Sequence, residues 1–152
     1  MWELAKYPLT WVKELDLFNE IWAPSKFVGQ SIASVAEKPV HIMPLACQPN
    51  LTEFYSRRYF GLPEQHFLFL AFWDDRSYIQ RKNPSGVVKA FQKFKSTNQY
   101  ALAKLVLKVN PLGDRQFNLS DLGEFDEIEK DIILIDKLLS DQEMKNLIRN
   151  CD

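Results

Sequence analysis

The sequence predicts an α/β protein built around a parallel β-sheet, and three observations support this fold class. After residue 65, short apolar runs alternate with stretches whose apolar residues recur at helical spacing. The run Phe67–Trp73 is apolar throughout, as is typical of a strand covered on both faces of a parallel sheet. Alternation of strands and helices favours right-handed βαβ units, and therefore a doubly wound, Rossmann-like sheet.

The first fifty residues contain two predicted helices and two predicted strands. A helix from Thr10 is followed by a short strand over residues 20–23. Ser25 is a suitable N-cap for the second helix, and residues 40–43 form the second strand. The apolar positions are Trp11, Leu15 and Phe18 in the first helix, and Val28, Ile32 and Val35 in the second.

A connector with two prolines and no periodicity follows, over residues 44–50. A short helix is predicted after Thr52. It ends at Gly61, where a left-handed residue costs little, and Pro63 prevents its continuation. These breaks separate the first elements from the predicted sheet.

The second and third strands of that sheet are predicted over Leu105–Val109 and Ile132–Ile135. Asn83 and Pro84 supply an N-cap and a first-turn proline for the helix that joins the first two strands. A less regular helix over Ser120–Lys130 joins the second strand to the third. Three strands make a thin sheet for this fold, so we expect the chain to be part of a larger enzyme.

The last helix has the strongest local signal. Ser140 and Glu143 form a capping box, and Leu139 is placed to contact Met144 across it. The apolar positions of this helix, predicted to face the core, are Met144, Leu147, Ile148 and Cys151.

Composition limits the classes of function. Hydrophobic residues make up 46% of the 152 residues and the net charge is −1, so the chain has a core and lacks the basic face of a nucleic-acid-binding protein. The two cysteines and two histidines have no metal-ligand spacing, so neither a metal nor a disulfide framework is expected. The longest apolar run has seven residues and no secretory signal is present, which predicts a cytoplasmic protein.

Ligands of open α/β sheets bind beyond the carboxyl ends of the strands. Three loops satisfy this rule, and they are Asp74–Asn83, Asn110–Asn118 and Asp136–Leu139. The first is the most polar, and it precedes a helix N-terminus, where free N–H groups favour an anion. Lys82 would bind a phosphate as a point charge and Arg81 as a planar fork.

Alternative interpretations of this loop stay open. Its cations are equally well explained as solvated loop residues. Neither a GxGxxG nor a Walker sequence is present, which disfavours a dinucleotide site or a P-loop. The pair Asp74-Asp75 is similar to the acidic pocket of a response-regulator receiver, but Asn110 stands where a receiver has its phosphoacceptor aspartate.

Four segments in order resemble the family-four (group 1) retaining glycosyltransferases of the GT-B fold. The segment ending in "EIWAPSKF" is similar to the end of their acceptor domain, and "VHIMPLACQP" to the strand that enters the interdomain connector. The donor-domain entry is represented by "YFGLPEQHFLFLAFWDDRSYIQRKNPSGVVKAF", and the base-binding turn with its capped helix by "IILIDKLLSDQEMKNLIRNCD". The resemblance covers nearly the whole chain and is weakest between residues 110 and 129.

The resemblance implies a domain organisation and a set of site residues. Residues 1–45 would be the tail of the acceptor domain, 46–65 the connector, and 66–152 the first half of the donor domain. Lys82 matches the lysine that contacts the donor diphosphate, with Arg81 as its neighbour. The donor base or sugar would be approached by Asn110, Leu138 and Leu139.

Two departures from the family pattern matter. The strand-end arginine of the family is missing here, because the first strand ends Phe72-Trp73-Asp74, so Arg76 or Arg81 would replace it. The paired catalytic glutamates of the family would come after Asp152, so no catalytic residue is assigned within the chain, and the chain alone is expected to be inactive.

The implied activity of the parent protein is transfer of a sugar, with retention, from a nucleotide-diphosphate donor to a glycan or lipid-linked acceptor in polysaccharide biosynthesis. No metal or other cofactor is expected, and peripheral association of the parent with a membrane is consistent with such acceptors. The alternative is a non-catalytic α/β regulatory or binding module of the receiver type.

Overall fold

The computed structural model describes residues 5–46, 50–75, 79–97, 102–111, 113, 116–123 and 128–152. The chain divides into two compact units, Met1–Gln48 and Pro49–Asp152. Each unit contains one small parallel sheet, so the architecture is mixed α/β and compatible with a Rossmann-like fold. Within the described residues, no helix is both long and apolar enough to cross a lipid bilayer.

The first unit consists of short elements. They are α1 (Val12–Leu15), β1 (Ile21–Ala23), α2 (Lys26–Ala33) and β2 (Val40–Ile42), with β1 and β2 parallel. Ser25 caps α2, since its hydroxyl accepts a hydrogen bond from the backbone N–H of Val28 at 3.3 Å. The predicted cap, second helix and both strands are confirmed. The first helix was predicted too long, because α1 ends at Leu15 and leaves Trp11 and Phe18 more than half exposed.

Gly29 allows α2 to lie close against this sheet. A Cβ atom at this position would come 2.2 Å from Cδ1 of Ile42 and 3.5 Å from Cβ of Ala23. The absence of a side chain therefore sets the distance between helix and strands, and the core of the unit closes around it. That core consists of Leu15, Ala23, Val28 and Ile32.

The second unit is a three-stranded parallel sheet with helices on both faces. Its strands are β3 (Phe67–Asp74), β4 (Ala103–Asn110) and β5 (Ile132–Asp136), and its helices are α3 (Ile79–Lys82), α4 (Pro84–Thr97) and α5 (Asp141–Asn150). Central β4 pairs with β3 on one side and with β5 on the other. The three predicted strands and their parallel pairing are confirmed.

Alternate residues of β4 face two separate cores. Leu105 and Leu107 pack with Val88 and Phe91 of α4. Val106, on the other face, packs in a cluster that contains Leu147 of α5. The sheet is therefore covered by α4 on one face and by α5 on the other, as a doubly wound arrangement requires.

The first strand of this sheet differs from the prediction. Phe67, Phe69 and Phe72 of β3 are 49%, 37% and 56% exposed, so the strand is not covered on both faces. Within the described residues β3 has a strand neighbour only on the β4 side, and edge strands retain accessible side chains. Continuous hydrophobicity predicted the strand correctly but not its burial.

Two predicted helices are also different. No helix follows Thr52 directly, and a 3-10 turn, Arg57–Phe60, precedes the left-handed Gly61 (φ 68°). An irregular helix was predicted over Ser120–Lys130. The structure has two short 3-10 turns near the ends of this range, Leu119–Leu122 and Glu129–Asp131. Residues 124–127, between those turns, lie outside the described residues.

An asparagine pair on α5 explains why residues 50–56 are extended. Asn146 is fully buried, accepts a hydrogen bond from Tyr55 N at 3.0 Å and donates to the carbonyl of Glu53 at 2.8 Å. Asn150 donates to the carbonyl of Tyr55 at 2.8 Å. These side chains form hydrogen bonds with backbone N–H and C=O groups that would otherwise bond to each other within a helix. The prediction that Ile148 faces the core is wrong, since this residue is 48% exposed.

Arg57 fixes the opposite end of the sheet. Its guanidinium donates to the carbonyls of His66 at 2.8 Å and Asn150 at 2.9 Å, and it forms a 2.8 Å ion pair with Asp152. The same Asp152 carboxylate accepts from the backbone N–H of Leu68, and this bond and Arg57 hold the pKa of Asp152 below its usual value. The beginning of β3 and the end of α5 are thus joined through one arginine.

The asparagine pair yields a stability prediction. Replacing Asn146 by leucine (Asn146→Leu) leaves Tyr55 N and Glu53 O without this partner, which costs about 2–4 kcal/mol of unfolding free energy. Urea denaturation followed by circular dichroism measures this loss. Gln142→Leu is the matched control on the same helix, because its bonds to Thr52 N and Asn50 O are exposed to water and contribute less. Equal losses in both variants would contradict the explanation by burial.

Candidate functional site

The strand register brings three polar residues to one edge of the sheet. Asp74 of β3 lies opposite Asn110 of β4, and Val109 of β4 lies opposite Asp136 of β5. The three strands are parallel, so their carboxyl ends meet at this edge. Ligands of open α/β sheets bind at such an edge, and it is where the candidate site lies.

A cavity of about 330 Å³ opens at the carboxyl edge. Its lining combines three charged groups and one amide with apolar walls, a composition typical of small-molecule sites. The lining residues are Phe72, Trp73, Asp74, Lys82, Lys108, Asn110, Leu139 and Met144. We refer to it as the edge cavity. Its volume suits part of a nucleotide-sized ligand rather than the whole.

Lys82 reaches the edge cavity from α3, and Asn83 determines where that helix ends. Asn83 adopts a left-handed conformation (φ 48°), which asparagine tolerates better than other residues with a Cβ. Its side-chain Oδ1 accepts a hydrogen bond from the backbone N–H of Gly86 at 3.2 Å, which confirms the predicted N-cap of α4. A Cβ at Gly86 would come within 2.4–2.7 Å of the Asn83 amide, so the cap requires glycine there.

Lys108 forms the buried part of the edge cavity. It lies on central β4, is 2% exposed, and its Nζ donates to Val109 O at 2.8 Å and to Asn110 Oδ1 at 2.5 Å. Burial lowers the pKa of Lys108 from its ordinary value, and the negative charges of Asp136 and Asp74 oppose that shift. Loss of water around the ammonium is thus the larger effect.

The same bond orients the side chain of Asn110. Because Lys108 donates to Oδ1, the amide Nδ2 of Asn110 is left as a donor with no acceptor among the described residues. The Asn110 carbonyl accepts from Asp75 N at 3.0 Å and anchors the start of the loop after β3. The edge cavity therefore presents an ammonium and an amide donor side by side.

The start of α5 and the residue before its cap form an apolar wall of the cavity. Ser140 Oγ accepts from Glu143 N at 3.1 Å, and Glu143 Oε2 accepts from Ser140 N at 2.7 Å, so the predicted capping box is confirmed. The bonds from Ser140 N and from the Tyr59 hydroxyl lower the pKa of Glu143. This reciprocal cap holds Leu139 and Met144 at the cavity wall.

Two buried polar atoms lie on the other face of the same edge. Asp136 Oδ2 accepts from Phe117 N at 2.6 Å, whereas Oδ1 has no hydrogen-bond partner among the described residues. Trp73 Nε1 is likewise buried without one, and its ring packs edge-on against Phe117 at 5.5 Å between centroids. The negative charge of Asp136 thus acts on Lys108 from behind the sheet.

The predicted site residues separate into two groups. Lys82 at the end of α3, Asn110 at the end of β4 and Leu139 just before α5 line one cavity. Arg81 and Leu138 are exposed neighbours that do not line it, and Leu138 is 71% exposed. Arg76, the other substitute for the missing strand-end arginine, lies outside the described residues. Over the described ranges, no group of three or more His, Cys, Asp or Glu side chains is placed to hold a metal ion.

Lys108 is the residue of the cavity that the sequence motifs do not identify. Its signal was present, because a single lysine interrupts the otherwise apolar strand Leu105–Val109. A charged residue is almost never fully buried unless it is paired or has a function. Its position on a central strand, rather than in a polar loop, concealed it.

No protein-family model matches the chain, and no curated protein matches it in sequence.

Trp73 provides an optical test of the edge cavity. This residue is 6% exposed and lines the cavity, whereas Trp22 of the first unit is 64% exposed. The indole packs against Phe117 behind the sheet, so a diphosphate in the cavity acts on it through its negative charge, and titration with a nucleoside diphosphate is expected to shift tryptophan emission. The change should disappear in Trp73→Phe and persist in Trp22→Phe. The opposite result would place the ligand elsewhere.

Proposed function

We propose that the edge cavity binds the diphosphate of a nucleotide sugar, as the donor site of a family-four retaining glycosyltransferase of GT-B fold. The observation that carries this proposal is the shared cavity of Lys82, Asn110 and Leu139. These are residues that the motif resemblance assigns to the donor, and they lie after three different strands or at a strand's end. A parallel sheet brings all its strand ends to one edge, and the resemblance adds that one residue assigned to the donor at each of the three strand ends lines the cavity there.

The electrostatics of the cavity suit a leaving nucleoside diphosphate. When the bond between sugar and phosphate breaks, negative charge develops on the phosphate oxygens. The Lys82 ammonium at the exposed side of the cavity stabilises this charge, and more strongly once a bound ligand has displaced water from around it. Retaining transfer would then require an acceptor hydroxyl positioned on the sugar, which in the proposed enzyme belongs to a glycan or lipid-linked glycan.

Asp74 favours a sugar-containing ligand over a simple anion. Its carboxylate lines the same cavity as Lys82, where it repels a phosphate but accepts hydrogen bonds from hydroxyl groups. A ligand that combines phosphoryl groups with hydroxyl groups is compatible with both charges. The receiver-like alternative also uses Asp74, but no observation within the described residues favours it over donor binding.

The function is tested by calorimetric titration with UDP, GDP and ADP, each compared with its monophosphate. We expect one diphosphate to bind more tightly than its monophosphate, because the second phosphate adds a charge-assisted contact. Lys82→Ala should weaken diphosphate binding by about 10–100-fold, the value of one hydrogen bond to a charged group. Arg81→Ala, outside the cavity lining, should have a smaller effect.

Lys89→Ala is the matched control, because Lys89 is an exposed lysine on α4 that does not line the cavity. Its diphosphate affinity should equal that of the wild type. Unchanged affinity in Lys82→Ala, or equal affinity of the wild type for mono- and diphosphates, would refute donor binding in this cavity.

A further inference from the structure

Lys108 has an unusual environment for a charged residue. It is the only charged side chain among the described residues that is fully buried, and no carboxylate forms an ion pair with it there. Burying an ammonium without a paired charge is costly, and buried lysines usually retain a partner or a function. The neutral acceptors Val109 O and Asn110 Oδ1 compensate for only part of the lost hydration.

One hydrogen-bond donor of this ammonium remains. A lysine ammonium has three N–H donors, and Val109 O and Asn110 Oδ1 take two of them. The third has no acceptor among the described residues, and Lys108 lines the edge cavity together with Lys82. The third donor is therefore available to an acceptor on a ligand that enters the cavity.

We propose that Lys108 is a second cation for the phosphoryl group in the edge cavity, and that Asn110 Nδ2 donates to the same group. Lys82 contacts the group from the exposed side and Lys108 from the buried side. The proposal rests on the proposed function only for the nucleoside part of the ligand, since the lysines recognise the phosphoryl group itself.

A purely structural role explains Lys108 less well. A methionine of similar length would fill the same space within the apolar face of β4 without the cost of desolvating a charge, and such replacements are often stabilising. Lys108 also orients the side chain of Asn110. That orientation has a function only if the Asn110 amide binds a ligand. Both observations lead to an occupant of the edge cavity.

The charge state of Lys108 should make binding depend on pH. The charged groups around it are Asp74 on β3, Asp136 on β5 and Lys82 on α3, and the apolar neighbours are Leu139, just before α5, and Met144 on α5. An anion prefers the protonated ammonium, so affinity falls as pH rises through the lowered pKa of Lys108. Stability changes in the opposite direction, because the folded state loses its buried charge before the unfolded state does.

The test uses the full chain with inorganic pyrophosphate and UDP as probes. Lys108→Met is expected to weaken binding of both probes by about 10–100-fold, as loss of a hydrogen bond to a charged group does. The same variant should raise the melting temperature by about 4–8 °C, because the desolvated charge is gone. Above about pH 8, where the phosphates of UDP are fully ionised, the pH dependence of UDP affinity and of stability should be smaller in Lys108→Met than in the wild type.

Lys104→Met is the matched control. Lys104 lies on the same strand and the same face, about 13 Å before Lys108. Its Nζ pairs with Asp131 at 2.9 Å and donates to Lys130 O at 2.7 Å, far from the cavity lining. This variant should lose stability and keep the affinity for both probes.

Each result decides between the two proposals. Wild-type affinity in Lys108→Met overturns the role of Lys108, while Lys82→Ala still tests the donor site. Weaker binding together with lower stability in Lys108→Met also overturns it, since that is the result for a structural residue. Pyrophosphate binding that depends on Lys108, with UDP binding no tighter than pyrophosphate, supports the second cation and refutes nucleotide recognition.

Discussion

The register of β4 against its two neighbours is the constraint on which the second unit depends. Backbone hydrogen bonds on both sides of this strand bring Asp74, Asn110 and Asp136 to one edge of the sheet. Side chains alternate along a strand, so a slip of one residue would move Lys108 from the α5 face to the α4 face. The two cores would lose their partners at the same time. Folding stability and the edge cavity therefore depend on one pairing.

The location of the site could be predicted from the sequence, but its depth could not. The carboxyl-end rule and the motif resemblance together selected Lys82, Asn110 and Leu139, all of which line the cavity. Both the carboxyl-end rule and the motif resemblance point to residues in loops. Lys108 lies within a strand, and its importance follows from burial and from an unused donor, which depend on packing. Arg81 illustrates the converse, since proximity in sequence to Lys82 does not bring it to the lining.

How well each element could be predicted depends on how far apart in sequence its interacting residues lie. The caps at Ser25, Ser140 and Asn83 were predicted correctly because each hydrogen bond joins residues three positions apart. The segment after Thr52 was predicted as a helix but is extended up to residue 56, because its partners on α5 lie about ninety positions later. Exposure of Phe72 likewise depends on strand order, which local patterns do not contain.

The same asparagine contacts affect how the protein is made. Asn146 and Asn150 bond to backbone groups 91 to 95 positions earlier, and contacts of such separation form late in folding. A ribosome adds roughly 5–20 residues per second, so about 5–20 s pass between synthesis of residues 50–56 and synthesis of their partners. Until then, Leu68 and Val106 on the α5 face of the sheet are uncovered. The nascent chain is most prone to aggregation in that interval, and chaperones that bind apolar strands would act then.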